Sequence, residues 1–318
     1  YNNLTKDWLV VAPVLHSYGA NAPYVNGGNV KNQGLEFGLH WNDSVGEVFY
    51  GVNLTGAHNK NKVTKIANAD GIIHGTGSIP WEGAEELYRA EVGMPIGYFY
   101  GYKTAGVFQN QAEIDAYKGA LLNGENTNPG DVIYVDSNND GVIDANDRTM
   151  IGNPHPDFTL GLSFNIEWKG IDLSISGFGS FGQQIFKCYR DFSSSPLNNY
   201  TTDILKRWTG EGSSNKYPRL ASSSNSNWNR ISSLYIEDGD YFKVQNITLG
   251  YDIAKAFKKF PLKTCRVYVT GQNLFTFTSY SGMDPEIGYG GGSGWAQGID
   301  LGYYPSARTI LFGVNLKF

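Results

Sequence analysis

Hydrophobic and polar positions alternate with a period of two along much of the chain. Between residues 158 and 168, Phe158, Leu160, Leu162, Phe164, Ile166 and Trp168 fall on one side of an extended segment. Thr159, Gly161, Ser163, Asn165 and Glu167 fall on the other. Side chains alternate across a β-strand, so the spacing predicts a strand with one apolar face and one polar or small face. The same alternation carries Leu35, Phe37, Leu39 and Trp41; Val48, Tyr50, Val52 and Leu54; Ile171, Leu173 and Ile175; and Ile310, Phe312, Val314, Leu316 and Phe318. Between Tyr241 and Tyr251 the phase changes near Gln245 and Asn246, where a β-bulge is expected.

The pattern predicts about eight strands, over 1–12, 32–42, 46–60, 157–168, 170–186, 240–251, 264–275 and 307–318. Short connections at 43–45, 169 and 252–263 alternate with long ones at 13–31, 61–156, 187–239 and 276–306. Outer-membrane barrels have this asymmetry, with short periplasmic turns and long extracellular loops. Compact soluble domains rarely tolerate loops of such length. Trp41 and Trp168 both fall beside short turns, as an interfacial aromatic girdle requires.

Composition agrees. Aromatic residues make up 14% of the 318 and charged residues only 17%, below the roughly 25% of soluble domains. A surface so poor in charge fits one that partly faces lipid. The net charge of −5 leaves no basic footprint for nucleic acid. No run approaches the ~18 apolar residues of a membrane helix, which leaves strands as the way across. The chain opens on Tyr1 without a signal peptide, so a barrel reading implies a piece of a longer exported protein. Two cysteines, Cys188 and Cys265, are too few for a disulfide framework.

The sharpest local motif runs over 136–147. Asp136, Asn138 and Asp140 stand at positions 1, 3 and 5 of a calcium-loop spacing, Gly141 at the turn, Val142 at the carbonyl position, and Asp144 and Asp147 at 9 and 12. A hard cation needs several oxygens from one short loop, and this alternation supplies them. Asp147 stands where paired-helix calcium loops have Glu, and a strand and two prolines flank the loop. A structural calcium ion is expected, with a metal-free turn rich in Asp and Asn as the alternative.

Other motifs carry less. Gly177, Gly179 and Gly182 match a dinucleotide fingerprint but lie inside an alternating strand, whereas that fingerprint needs a strand turning into a helix. There they are expected to let side chains or an inserted domain approach closely. The five histidines show no zinc spacing, and no hydrolase nucleophile motif occurs. Nothing gathers the paired carboxylates around a cleft, so no catalytic residues are expected. Trp228, Trp295, Tyr289, Tyr303 and Asn225, in long connections, are candidates for stacking on and hydrogen-bonding to a sugar. Packing within the loops is the competing role for each.

Three stretches carry a family resemblance: GDVIYVDSNNDGVIDANDR at 130–148 leading into IGNPHPDF at 151–158, GQNLFTFTSYSGMDPE at 271–286, and YPSARTILFGVNLKF at 304–318. The segment 24–41, with NQGLE at 32–36, joins them. In order and spacing they resemble the C-terminal third of SusC-like TonB-dependent transporters of Bacteroidota. The resemblance implies an antiparallel transmembrane β-barrel, of which residues 1–318 would be the last strands. It implies a location in the bacterial outer membrane, and import of oligosaccharides or, less often, peptides. It also implies a SusD-like surface lipoprotein as partner, and energy from the TonB system through a region upstream of Tyr1. Such barrels end in the periplasm, which would set Cys188 and Cys265 at opposite membrane faces and leave both unpaired. The rival reading is a soluble, calcium-stabilised β domain that binds carbohydrate or acts as an adhesin. It requires the apolar strand faces to be covered by a second sheet.

Overall fold

The computed structural model describes residues 1–11, 24–68, 70–188, 200–220, 227–257, 260–288 and 294–318. Its main body is one eight-stranded sheet. The strands are β1 (Asn2–Val11), β2 (Tyr24–Val45), β3 (Val48–Ile66), β4 (Phe158–Trp168), β5 (Ile171–Phe181), β6 (Tyr241–Asp252), β7 (Thr264–Thr278) and β8 (Thr309–Lys317). Each pairs antiparallel with its sequence neighbour, so the sheet is a meander. All eight expected strands form. The outermost strands, β1 and β8, each pair with one neighbour and not with each other.

The short turns have local causes. Lys169 and Gly170 both take positive φ, 49° and 89°, which suits the two-residue hairpin turn whose twist matches that of the strands. β2 was expected to stop at 42, yet it runs on to Val45. The positive φ that turns the chain sits at Gly46 rather than in the polar run before it. The third turn is a short helix, Ile253–Ala256, started by Asp252, whose carboxylate accepts the N–H groups of Ala254 and Cys265.

Register carries the alternation across the whole sheet. Directly opposed residues share a face. The pairings therefore align Trp41, Val52, Phe164, Ile175, Ile247 and Ile310 in one row. Tyr50, Ile166, Leu173, Leu249, Val269 and Phe312 form the next row. The opposite face carries His40, Asn53, Ser163, Ser176, Asn246, Gln272 and Thr309. β6 keeps in phase through the expected bulge, because its register shifts between Val244 and Asn246. Val244 and Ile247, three residues apart, thereby share the apolar face.

Neither face of the sheet is a core. Leu39 is 58% exposed and Phe312 is 83% exposed. Among the described residues no second sheet covers the apolar rows, against the soluble reading. Trp41 and Trp168 stand exposed on that face near the turns. At its other end stands a second aromatic set, Phe37, Phe158, Phe181, Phe242, Phe275 and Phe277, which the expected girdle did not include. Gly177 and Gly179 make room for it. A Cβ on Gly177 would come within 2.7 Å of the Phe242 ring, and one on Gly179 within 2.7 Å of Phe181.

The core lies where loops were expected. Connections 67–157, 182–240 and 279–308 leave the sheet at the same end, and their described residues fold together into a cap. It holds a four-stranded sheet (Ile72–His74, Tyr88–Glu91, Tyr98–Gly101, Thr149–Gly152), a three-stranded sheet (Gln184–Lys187, Ile236–Asp238, Ile299–Asp300) and a two-stranded one (Thr104–Val107, Val132–Tyr134). Leu87, Tyr88, Phe99, Phe186, Ile231 and Ile299 are buried in it almost completely. Of the eight main strands, only Val30, Val63, Ile66 and Tyr241 contribute buried apolar side chains among the described residues.

Candidate functional site

The polar face of the sheet is a continuous hydrogen-bonding surface. Asn53 bridges strands, with its Oδ1 against His40 Nδ1 and its Nδ2 donating to Ser163 Oγ at 3.0 Å. Asn42 Nδ2 meets His40 Nε2 at 2.6 Å. Asn246 donates to Ser176 at 3.3 Å, and Thr248 and Thr270 share a bond of 2.8 Å. Nearer the turns, Arg266 grips Asp172 through two bonds of 2.7 and 2.6 Å. Amides and hydroxyls without net charge line the middle, and a paired charge closes the turn end. Such a surface offers hydrogen bonds to any polar solute beside it.

Buried ions bind the cap to itself. Lys187, 1% exposed, donates to Asp203 at 3.1 Å and Ser281 at 2.6 Å, and lies 3.7 Å from Glu237. Glu237 accepts from the backbone and hydroxyl of Ser281, at 3.0 Å each. Burial would raise the Asp203 pKa, but hydrogen bonds from Lys206 and Lys187 outweigh it and hold the carboxyl near 2. Lys243, on β6, is buried against Glu286 and lies 3.7 Å from Asp284. A third knot joins Asp131 to Arg219 at 2.7 Å and to Asn227 at 2.8 Å. These ions escaped sequence reading because the partners lie far apart in the chain, 94 residues for Lys187 and Ser281. Lys243 alone left a trace, as a charge inside an alternating strand.

The loop at 136–147 closes on itself. Asp136 accepts the N–H groups of Asp140 and Gly141, at 3.2 and 2.8 Å. Asp140 accepts that of Val142, and Asp144 that of Asn146. Asp147, fully buried, accepts from Ser137 at 2.7 Å and from Asp144 at 2.8 Å. Asn139 and Gly141 take positive φ, which gives the loop its tight curl. Among the described residues, no three His, Cys, Asp or Glu side chains stand close enough to hold a metal ion. The donor set remains suited to a hard cation. Each of these carboxylate oxygens uses one lone pair on an N–H group, which leaves the other for a cation. None of the four aspartates pairs with a Lys or Arg among the described residues.

The structure redistributes the expected ligand-stacking residues. Trp228 is 4% exposed in the cap core, its Nε1 donating to the Arg219 carbonyl at 3.3 Å. Its ring packs protein and has no open face for a sugar. Trp295 packs edge-on against Tyr88 and Trp8, at 4.8 and 6.0 Å between centroids, and so couples β1 to the cap. Tyr303 is 40% exposed and the neighbouring Tyr304 91%. Tyr289 and Asn225 lie outside the described residues.

Both cysteines are free. Cys265 lies at the turn end of β7, and Cys188 is buried in the cap at the opposite end of the sheet. The Cys188 thiol donates to the Asp300 carbonyl at 3.3 Å, and burial pushes its pKa up to about 12.

Comparison with known proteins places this architecture. No protein-family profile matches the chain. The TonB-dependent receptor P3 of Formosa agariphila is 32% identical over 325 residues, covering 100% of this chain and 32% of its own length. The TonB-dependent receptor SusC of Bacteroides thetaiotaomicron is 28% identical over 325 residues, covering 100% of this chain and 29% of its own length. Among solved structures, the RagAB peptide transporter superposes with a TM-score of 0.74 at 20% identity, over 100% of this chain and 32% of that one. That likeness bears on the fold alone. The chain spans about a third of the length of the relatives it matches. Along its whole length, this chain is similar in sequence to TonB-dependent receptors, SusC among them.

Proposed function

We propose that this chain forms part of the wall and outer mouth of an outer-membrane importer. Powered by the TonB system, it would carry oligosaccharides or peptides received from a SusD-like surface lipoprotein. One observation carries the membrane reading: the apolar rows run unbroken from the Phe158 end of β4 to Trp168, with aromatic residues at both ends. Ten residue steps span about 34 Å along the strand, or about 26 Å along the membrane normal at a tilt near 40°. The apolar band of outer-membrane barrels is about 25 Å tall. The apolar rows then meet lipid, the amide-lined face borders the solute path, and the cap stands outside the cell.

Transport moves a solute without making or breaking its covalent bonds, so no residue here is given a catalytic role. The polar face supports a hydrophilic cargo, and its amides and hydroxyls serve sugars and peptide groups alike. The test is deletion of the gene for the intact protein, followed by growth on oligosaccharides or on peptides as sole carbon source. Loss of growth on one class identifies the cargo. Unchanged growth and unchanged uptake of both would overturn the reading.

The loop at 136–147 is proposed to take one calcium ion through oxygens of Asp136, Asn138, Asp140, Val142, Asp144 and Asp147. Its support is the spacing together with four aspartates unmatched by cations. Calcium should raise the cap's unfolding temperature in the wild type and not in Asp140→Ala. Equal melting of both with calcium and with chelator would exclude the ion.

A further inference from the structure

β1, β2 and β3 outrun the rest of the sheet. β4 begins opposite His58, so β3 from Asn59 to Ile66 pairs only with β2, and with β1 on the other side of β2 they form a three-stranded ribbon reaching past the apolar band. One face of the ribbon is packed: Val30 and Val63 are buried against Ala90, with Trp8 and Trp295 beside them. The other face continues the apolar one, because Lys31 and Gln33 keep phase with Leu35 and Phe37. Lys62 and Lys60 stand opposite Lys31 and Gln33. Lys31 and Lys62 thus face each other directly, a like-charge pair that destabilises a sheet unless an anion lies between.

These lysines border a cleft of about 590 Å³ that also includes Asn59, Asn61, Thr64 and Asn153. None of the three forms an ion pair among the described residues. Asp157 is the carboxylate among the lining residues. His155 also lines the cleft, but its ring is held by the Ile96 carbonyl and Gln297. Three lysines thus stand against one carboxylate.

Depth decides what the cleft can hold. His58 shares the last apolar row with Leu35 and Phe158. Lys60 and Lys62 lie two and four residues further, about 5 and 10 Å along the normal for a strand tilted near 40°. The headgroup zone extends about 5–7 Å beyond the hydrocarbon on each side, so Lys60 falls within it, and Lys31 and Lys62, just beyond it, reach back along their flexible stems. Resting on the membrane reading above, we infer that Lys31, Lys60 and Lys62 hold the phosphate of an outer-leaflet lipid headgroup. The lipid's chains would lie on the apolar rows beneath, so that one molecule meets both surfaces.

The intact protein, isolated in neutral detergent, tests this with three probes: a monophosphorylated diglucosamine lipid in micelles, the same lipid without phosphate, and inorganic phosphate. The phosphorylated lipid should bind tightest. The triple variant K31Q/K60Q/K62Q should bind it roughly a hundredfold more weakly, at about fivefold per lysine. The corresponding triple arginine variant should restore binding, which separates lost charge from a misfolded protein. Equal binding of the phosphorylated and dephosphorylated lipids would overturn the inference. So would inorganic phosphate binding as tightly as the lipid, or a glutamine variant that keeps lipid but loses a co-isolated acidic partner protein. A protein that needs no detergent to stay monomeric would instead sink the membrane reading beneath it.

Discussion

Trp168 and Ile171 stand directly opposite each other across a turn of only two residues, Lys169 and Gly170. Both turn residues have positive φ, and the turn fixes the register of all eleven β4–β5 pairs. Gly170→Val should therefore destabilise the protein by about 1–2 kcal/mol, from the left-handed backbone alone. Its Cβ would also press on Lys255 at 3.1 Å. Lys169→Asn, better suited to the left-handed region, should be neutral or stabilising. Urea unfolding of the intact protein in vesicles measures both. Equal midpoints for Gly170→Val and wild type would show that the turn does not set the register.

The two faces of β4 should respond oppositely to charge. Leu162→Arg places a guanidinium on the apolar face and should cost about 2–4 kcal/mol in a bilayer. Ser163→Arg, one residue on, points to the polar face and should change stability far less. Similar losses for the two substitutions would mean that lipid does not cover the apolar rows.

Neither cysteine should react readily in the folded protein. Cys188 is buried with its thiol pKa near 12, so at pH 8 almost none is thiolate. Cys265 shares the apolar face with Leu316. A membrane-impermeant thiol reagent on intact cells should label neither, and both should label after denaturation. Rapid labelling of Cys188 in the native protein would show that the cap opens.

Acid should loosen the cap before the sheet. Asp203 is held near pKa 2, below the ordinary 3.8. A depressed carboxyl contributes its stability above the unfolded value and loses it as pH falls toward the folded one. The loss therefore runs from about pH 4 down to pH 2 and amounts to about 2 kcal/mol. Asp203→Asn should flatten that part of the profile. Lys187→Met should be worse at neutral pH, by about 3 kcal/mol, because it strands buried Glu237. Tryptophan fluorescence against pH follows the cap through Trp228 and Trp295. An unchanged acid slope in Asp203→Asn would remove Asp203 from the account.

The main sheet was readable because its strands are long, between nine and 22 residues, and each keeps period two far enough to be seen. Even the bulge at Gln245 showed, as a slip of phase. The cap was not readable for the opposite reason. Ile299–Asp300 has two residues and Ile72–His74 three, too few to display any period. Their partners are also distant: Phe186 meets Ile299 in parallel. Trp228 illustrates the cost, since a tryptophan within a long irregular stretch reads as exposed until the pairing that buries it is known. The loop at 136–147 was legible because its interactions are local.

The outermost strands of the sheet give the chain a further property. Among the described residues, β1 and β8 each offer a row of backbone donors and acceptors along one side with no strand against it. Such edges template the addition of any extended segment. Produced by itself, this chain should therefore polymerise edge to edge, copy upon copy. A lysine or proline placed in β8 should shorten those polymers long before any detergent dissolves them.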